Sequence, residues 1–493
     1  MRASSHLTRR SLLLLAGAGA LGSLALSACG ASSSATSTAT SSAASSASTK
    51  SVASSASSTT SSAAKAAVKT TASSSAPAVA PGTLEVWEPG WGPQSPIDKG
   101  YQASLNALAK KSPNLKAAIV TETPFPTKFL TAAAAGTPPD LIFIPPEGGW
   151  PQDWAYKKVV LNLDSYIKQA KLSSSDYFTP SWNGSLFKGS QYVLPIEVDP
   201  NFPLVYNQSL LQQAGVDKPP ATISELDSLN QKLFKENGSV ISALGLFPPW
   251  MTYGPGNSLT TYFAVFGGGW LDPKDPTKLL MNQPGNVNAL TWMKQYANTF
   301  GGYAAIQKFA GTWGKNGYVG AMARGFLAMG PMVSANFTQA VSLAKGSEFA
   351  SSLKLSLMPV AQGVKPDPGW LGGWAMSIPS GVKQPEKSWS VLAWLGGDAT
   401  GTDIWAEING FLPGFKKSTY FSKHAKDPDV GVYIKVLEEA YVEVPSLLGW
   451  QEIPGSAFSD LLNNSVQGKV DITSALDQFQ SVAQAILNKY NKA

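Results

Sequence analysis

Between Leu84 and Ile144 the chain alternates short apolar runs with helical periodicity, and this alternation constrains the fold more than any other feature. Leu84-Glu85-Val86-Trp87 reads as a strand. Ile97, Tyr101, Leu105 and Leu108 then recur at helical spacing until Pro113. Ala117 to Thr121 is a second strand, Phe129 to Ala135 a helix closed by Gly136, and Asp140 to Ile144 a buried-strand run. Strand–helix–strand–helix–strand order implies right-handed crossovers and a mainly parallel sheet. Ligands sit beyond the carboxyl ends of such strands, here Glu88 to Gly92, Glu122-Thr123 and Pro145 to Trp150.

A second unit opens with a strand at Leu204 to Asn207 and a short helix from Ser209 to Ala214. Thr222-Ile223-Ser224-Glu225 is a capping box starting a helix with Leu226, Leu229 and Leu233 on one face, expected to end at Gly238. Asn286 to Phe300 is a further helix, and Phe326 to Gly330, Leu353 to Val360 and Trp374 to Ile378 are strand candidates. Leu476, Phe479, Val482, Ala483, Ile486 and Tyr490 mark a C-terminal amphipathic helix. With 493 residues there is room for two or three domains.

Ahead of this body lie two segments of another kind. Residues 1–29 combine Arg9-Arg10, an apolar run from Leu12 to Leu26 and Leu26-Ser27-Ala28-Cys29, the plan of an export signal. The apolar run falls short of the roughly 20 residues that a spanning helix needs. Thr8 to Leu13 fits a twin-arginine signal loosely, and an ordinary secretory signal equally. The segment ending in Cys29, the single cysteine, resembles a bacterial lipoprotein signal, which implies lipidation of Cys29 and attachment to the outer face of the cell membrane. Residues 30–81 are dominated by Ser, Ala and Thr, a composition expected to stay disordered and act as a tether.

The net charge of +6 comes from these leading segments. Of the 38 Lys and Arg, six (Arg2, Arg9, Arg10, Lys50, Lys65 and Lys69) precede Glu85, the first acidic residue, which leaves 32 basic against 32 acidic groups in the rest. Arg324 is the only arginine there, so nucleic acid is not an expected partner. Catalytic arrangements are equally scarce: His424 is the only histidine after the signal, with no G-x-S-x-G, H-E-x-x-H or Walker A loop. A glycoside hydrolase needs only two carboxylates, but Glu197 and Asp199, at i and i+2 of a strand, share one side and do not flank a ligand. No cofactor, metal or catalytic residue is assigned.

Five segments, in order, carry a family resemblance: Ala134 to Phe143 (AAGTPPDLIF); Tyr192 to Pro195 with Tyr206-Asn207 and Ala214 to Val216; Gly267 to Leu271; Met322-Ala323 with Met329 to Pro331; and Gly372 to Met376. Together they resemble the bacterial extracellular solute-binding proteins of the maltose-binding type, the sugar receptors of ABC importers. Ile223 departs from the pattern, which often has Trp there.

The resemblance implies an α/β, two-lobed periplasmic-binding-protein-like fold of type II, each lobe a mixed sheet flanked by helices, joined by two or three hinge strands. It implies a first lobe of residues 82–199 plus 377–443 and a second of 204–373 plus 448–493. It also implies a monomeric, non-enzymatic receptor that takes a sugar or oligosaccharide and passes it to ABC permease subunits. The alternative is a receptor for another small solute, a polyol phosphate or polyamine. Sugars need aromatic platforms and hydrogen-bonding rims. The expected ligand set is Glu88, Trp91, Glu147, Trp150, Asp199, Trp270, Trp313, Met332, Trp370, Trp374 and Trp450, with Met332 standing where maltose binders stack a Trp.

Overall fold

The computed structural model describes residues 80–490 except 94, 350 and 443. The expected signal, the lipidated Cys29 and the tether up to residue 79 lie outside the described residues. Two sheets organise the body. Their strands, in chain order, are β1 Leu84–Glu88, β2 Ala117–Thr121, β3 Leu141–Ile144, β4 Leu194–Asn201, β5 Leu204–Asn207, β6 Lys235–Asn237, β7 Val240–Leu246, β8 Leu327–Pro331, β9 Leu353–Ser356, β10 Trp370–Ser377 and β11 Leu412–Pro413.

The first sheet runs β11-β4-β10-β3-β1-β2 and the second β9-β5-β8-β7-β6. β1, β2 and β3 are parallel, and β10 lies antiparallel between β3 and β4, so β4 points the same way as β3. The ends of β1, β3 and β4 and the start of β10 therefore share one edge. In the second sheet Leu204 at the start of β5 pairs with Pro331 at the end of β8, and β7 runs parallel to β8. Since only Phe202-Pro203 separates β4 from β5, the exits of β7 and β8 and the entry of β5 face that first edge across a two-residue link.

The helix Pro96–Lys111 shows why the first sheet is covered as it is. Ser95 caps it by accepting from the Asp98 amide, and Pro96 occupies the first turn. Its apolar stripe of Tyr101, Leu105 and Leu108 is buried, at roughly 1.5–3 kcal/mol for each large side chain. The same helix meets Ala399–Asn409 so closely that a Cβ on Gly100 would lie 2.8 Å from the Trp405 carbonyl. Ser104 donates to the Gly401 carbonyl at 2.7 Å and accepts from the Trp394 indole at 2.9 Å. The first lobe is thus assembled from both halves of the chain.

In the second lobe the predicted capping box is present: Thr222 accepts from the Glu225 amide, and Glu225 accepts from the Thr222 amide. The helix stops at Leu233, five residues before the expected Gly238. Phe234 turns to extended angles, and Lys235–Asn237 becomes β6, an edge strand folded back on β7 around Gly238 in the left-handed region. In the C-terminal helix Ile472–Leu487 the stripe of Leu476, Phe479 and Ala483 is buried, whereas Val482 faces outward at 47% exposure. Val482 is therefore not part of the apolar face read from the sequence. The expected strand from Trp374 starts earlier, at Trp370, and pairs with β4 over its length. The expected lobe boundary at residue 373 falls inside it. Among the described residues no helix is long and apolar enough to cross a membrane.

Candidate functional site

The facing edges are lined by an unusual strand pair. Along β4, alternation puts Glu197, Asp199 and Asn201 on one face. Opposite them on β10 stand Trp374, Gly372 and Trp370 respectively. Cross-strand partners share a face, so three polar side chains run beside a Trp–Gly–Trp row. Gly372 lets side chains close in between the two indoles: a Cβ there would lie 2.5 Å from the Asn201 amide nitrogen and 3.1 Å from Trp370, so nothing larger than glycine fits without a shift. Glu147, from the segment after β3, reaches over this glycine, with Oε1 3.3 Å from the same Cβ position.

These groups are buried with little to satisfy them. Glu197 is fully buried, Asp199 8% and Asn201 5% exposed. Tyr101 donates to Glu197 Oε2 at 2.7 Å, but Glu197 Oε1, Asp199 Oδ1, Asn201 Oδ1 and Glu147 Oε2 have no hydrogen-bond partner. Desolvation disfavours the charged carboxylate. Burial pushes Asp199 up to about 7, and burial followed by the charge of Asp199 pushes Glu147 up to about 8. Glu197 is raised well above the usual carboxylate range, by burial first and then by Asp199.

Aromatic rings complete the surroundings. Glu88 ends β1 and accepts from the amides of Gly90 and Trp91 at 2.6 Å and Gly92 at 3.2 Å, drawing its own loop into a cradle. That loop sets Trp91 edge-on to Trp374, with ring centroids 5.1 Å apart, and flat against Tyr101 at 5.9 Å. From the link, Phe202 stacks on Tyr253 at 4.8 Å and 6° and meets the edge of Trp370 at 5.6 Å. Tyr253 holds a positive φ of 51°. Its hydroxyl is pinned by Tyr318, Asn336 and the Val333 amide. Both lobes thus contribute.

The remaining expected residues lie elsewhere. Trp150 packs with Phe125 and Trp154 in a satellite core behind β3. Trp270 and Trp450 pack edge-to-face 5.4 Å apart and against Phe458, exposed only 3% and 7%. Trp313 is buried against Phe247 and Phe309. Met332 is fully buried just beyond β8, its amide donating to the Pro203 carbonyl and its carbonyl accepting from Tyr433. Trp370 lines the strand pair, but its indole already donates to Thr261. The structure therefore gathers Glu88, Trp91, Glu147, Asp199, Trp370 and Trp374. It leaves Trp150, Trp270, Trp313 and Trp450 in packing roles.

Sequence reasoning weighed Glu197 only as a hydrolase residue and did not single out Asn201, Phe202 or Tyr253. The E-x-D-x-N alternation from Glu197 to Asn201, set against W-x-G-x-W from Trp370 to Trp374, is the signal that could have found the pair. Arg324 donates to the carbonyls of Gly320 and Trp313, capping the end of its helix, and does not enter this set. Among the described residues no cluster of His, Cys, Asp and Glu could hold a metal ion. The arrangement can accept hydrogen bonds and cover apolar faces of a small polar molecule.

Known proteins share the fold. The family model described as bacterial extracellular solute-binding protein matches residues 91–402. A relative from Brucella abortus (strain 2308) is 25% identical over 375 residues, 73% of this chain and 83% of its own. The solved structure of CpMnBP1 with mannotriose bound is 25% identical, covers 81% of this chain and 99% of that one, and superposes with a TM-score of 0.69. The GacH receptor of Streptomyces glaucescens, at 20% identity, shares the fold with a TM-score of 0.68 over 83% of this chain and 99% of its own. The fold is the two-lobed α/β architecture expected from the sequence. The chain belongs to the bacterial extracellular solute-binding protein family.

Proposed function

We propose that this protein captures a sugar or oligosaccharide between its lobes and delivers it, chemically unaltered, to the permease of an ABC importer. The observation that carries the reading is the strand pair β4–β10: partnerless acceptor oxygens alternate along one strand while indoles flank a glycine along the other. Saccharides present hydroxyl donors at their rims and C–H faces between them, which such a wall would engage. The mannotriose bound by CpMnBP1 supports the same class of ligand.

Family membership places the chain outside the cytoplasm. Export through the leader at residues 1–29 and lipidation at Cys29 would hold it at the outer membrane face, with residues 30–81 as a tether and the body acting as a monomer. Residues 82–199 and 377–443 form one lobe in this reading and 204–373 and 448–493 the other, with all of β10 counted in the first. Closure about the Phe202-Pro203 link would then bring the two facing edges onto the ligand.

Isothermal titration of the protein with mono- to trisaccharides tests the reading. Saturable binding is expected, with the saccharide recovered intact. Absence of binding across the panel, or recovery of a cleaved ligand, refutes it.

A further inference from the structure

Resting on the saccharide reading, the geometry points to a narrower ligand class: an amino sugar whose protonated amine sits against Glu147, Glu197 and Asp199. Glu147 and Asn201 meet over Gly372, Asp199 stands opposite it and Glu197 follows on the same strand face, and each of the four keeps a buried oxygen without a partner. Two of them, Glu197 and Asp199, lie on one strand face with Asn201, and Glu147 approaches from across β10. The amide oxygen of Asn201 is independent of the acids: it is 5% exposed, neutral and equally unpaired.

What the set lacks is a counter-charge. Among the described residues every ion pair lies elsewhere, and none involves Glu147, Glu197 or Asp199. Arg324 is committed to backbone carbonyls. An ammonium group supplies three donors and one positive charge, and it satisfies several unpaired acceptors at once. Burial leaves Asp199 and Glu147 holding protons near neutrality; an ammonium draws those protons off and pairs with the carboxylates left behind, whereas an anionic phosphate would repel them. A neutral hydroxyl supplies one donor and no charge.

The test is isothermal titration of the full chain at pH 7 with glucosamine, mannosamine, galactosamine and diglucosamine. Each is compared with its hydroxyl and N-acetyl counterparts, and with spermidine. At least one free amine is expected to bind tenfold or more tightly than both counterparts. Asp199→Asn and Glu197→Gln, each of which keeps an acceptor oxygen and loses the ionisable group, are expected to cut that preference to about twofold. Neutral or acetylated sugars binding as tightly as their amines overturn the inference and leave the saccharide reading standing. Spermidine binding in preference to every saccharide, or no binding at all, overturns both.

Discussion

Replacing Asp199 by Asn should stabilise the unliganded protein in a pH-dependent way. Asp199 is held near 7 by burial, against an ordinary value of 3.8. The folded protein therefore keeps a proton that the unfolded chain releases. Stability from this site is complete below pH ~4, declines as pH rises towards 7, and is level above about 8. The full cost is the shift from 3.8 to about 7, or about 4 kcal/mol at ~1.4 kcal/mol per pH unit. Asp199 in turn raises Glu147 and Glu197, so the three titrate together and relief of about 2–4 kcal/mol at pH 8 is expected. At ~2 cal/mol/K per residue the body unfolds with an entropy near 0.9 kcal/mol/K, which converts the gain to about 2–5 °C. Thermal unfolding of parent and variant, without ligand, at pH 5 and pH 8 reads this directly. Asn is isosteric with the neutral acid, so the gap at pH 5 should be much smaller. A gap of the same size at both pH values, or a loss at pH 8, would falsify the reasoning.

Three other perturbations probe separate parts of the structure. Trp374→Ala removes an exposed part of the indole wall and should weaken saccharide binding by about 1–2 kcal/mol, roughly five- to thirtyfold by titration, with unchanged circular dichroism. Trp450→Ala empties a buried site beside Trp270 and Phe458 and should cost about 3–5 kcal/mol in denaturant unfolding; a variant as stable as the parent refutes that placement. Thr222→Ala deletes the acceptor for the Glu225 amide and should cost about 1 kcal/mol at any saccharide concentration.

The sequence displayed the first lobe's opening well because each element there carries its own period and stop. Ser95 and Pro96 start one helix, and Gly136 closes the run after another. Where pairing partners decide, local signals failed. Lys235–Asn237 is polar and exposed, and becomes a strand only because Val240–Leu246 offers it an edge. The four extra strand residues from Trp370 to Gly373 come from pairing with Val198 to Asn201 across nearly the whole sequence separation of the second lobe. The site shows the same division. Trp91, Glu147, Asp199 and Trp374, which the structure brings together, are proposed from loops and motifs that the sequence displays. Phe202 and Tyr253 became visible only once a ring from the link and a ring from the second lobe were found stacked. Tryptophan count misled for Trp270 and Trp450, because an indole in a Gly-rich segment packs inward as readily as it faces a cleft.

The interleaving of the chain has a consequence for biosynthesis. The first sheet needs β10 and β11, and the helix Pro96–Lys111 needs its partner Ala399–Asn409, so no contiguous amino-terminal piece holds a finished first lobe. At about 5–20 residues per second, translation from β1 to β11 takes roughly 15–65 seconds. Through that interval Tyr101 has Trp91 and Phe143 beside it but lacks the cover of Trp405. A chain presented to its export machinery while still being made would thus be held open by its own topology, and its emergence from the ribosome and its passage out of the cell need not compete.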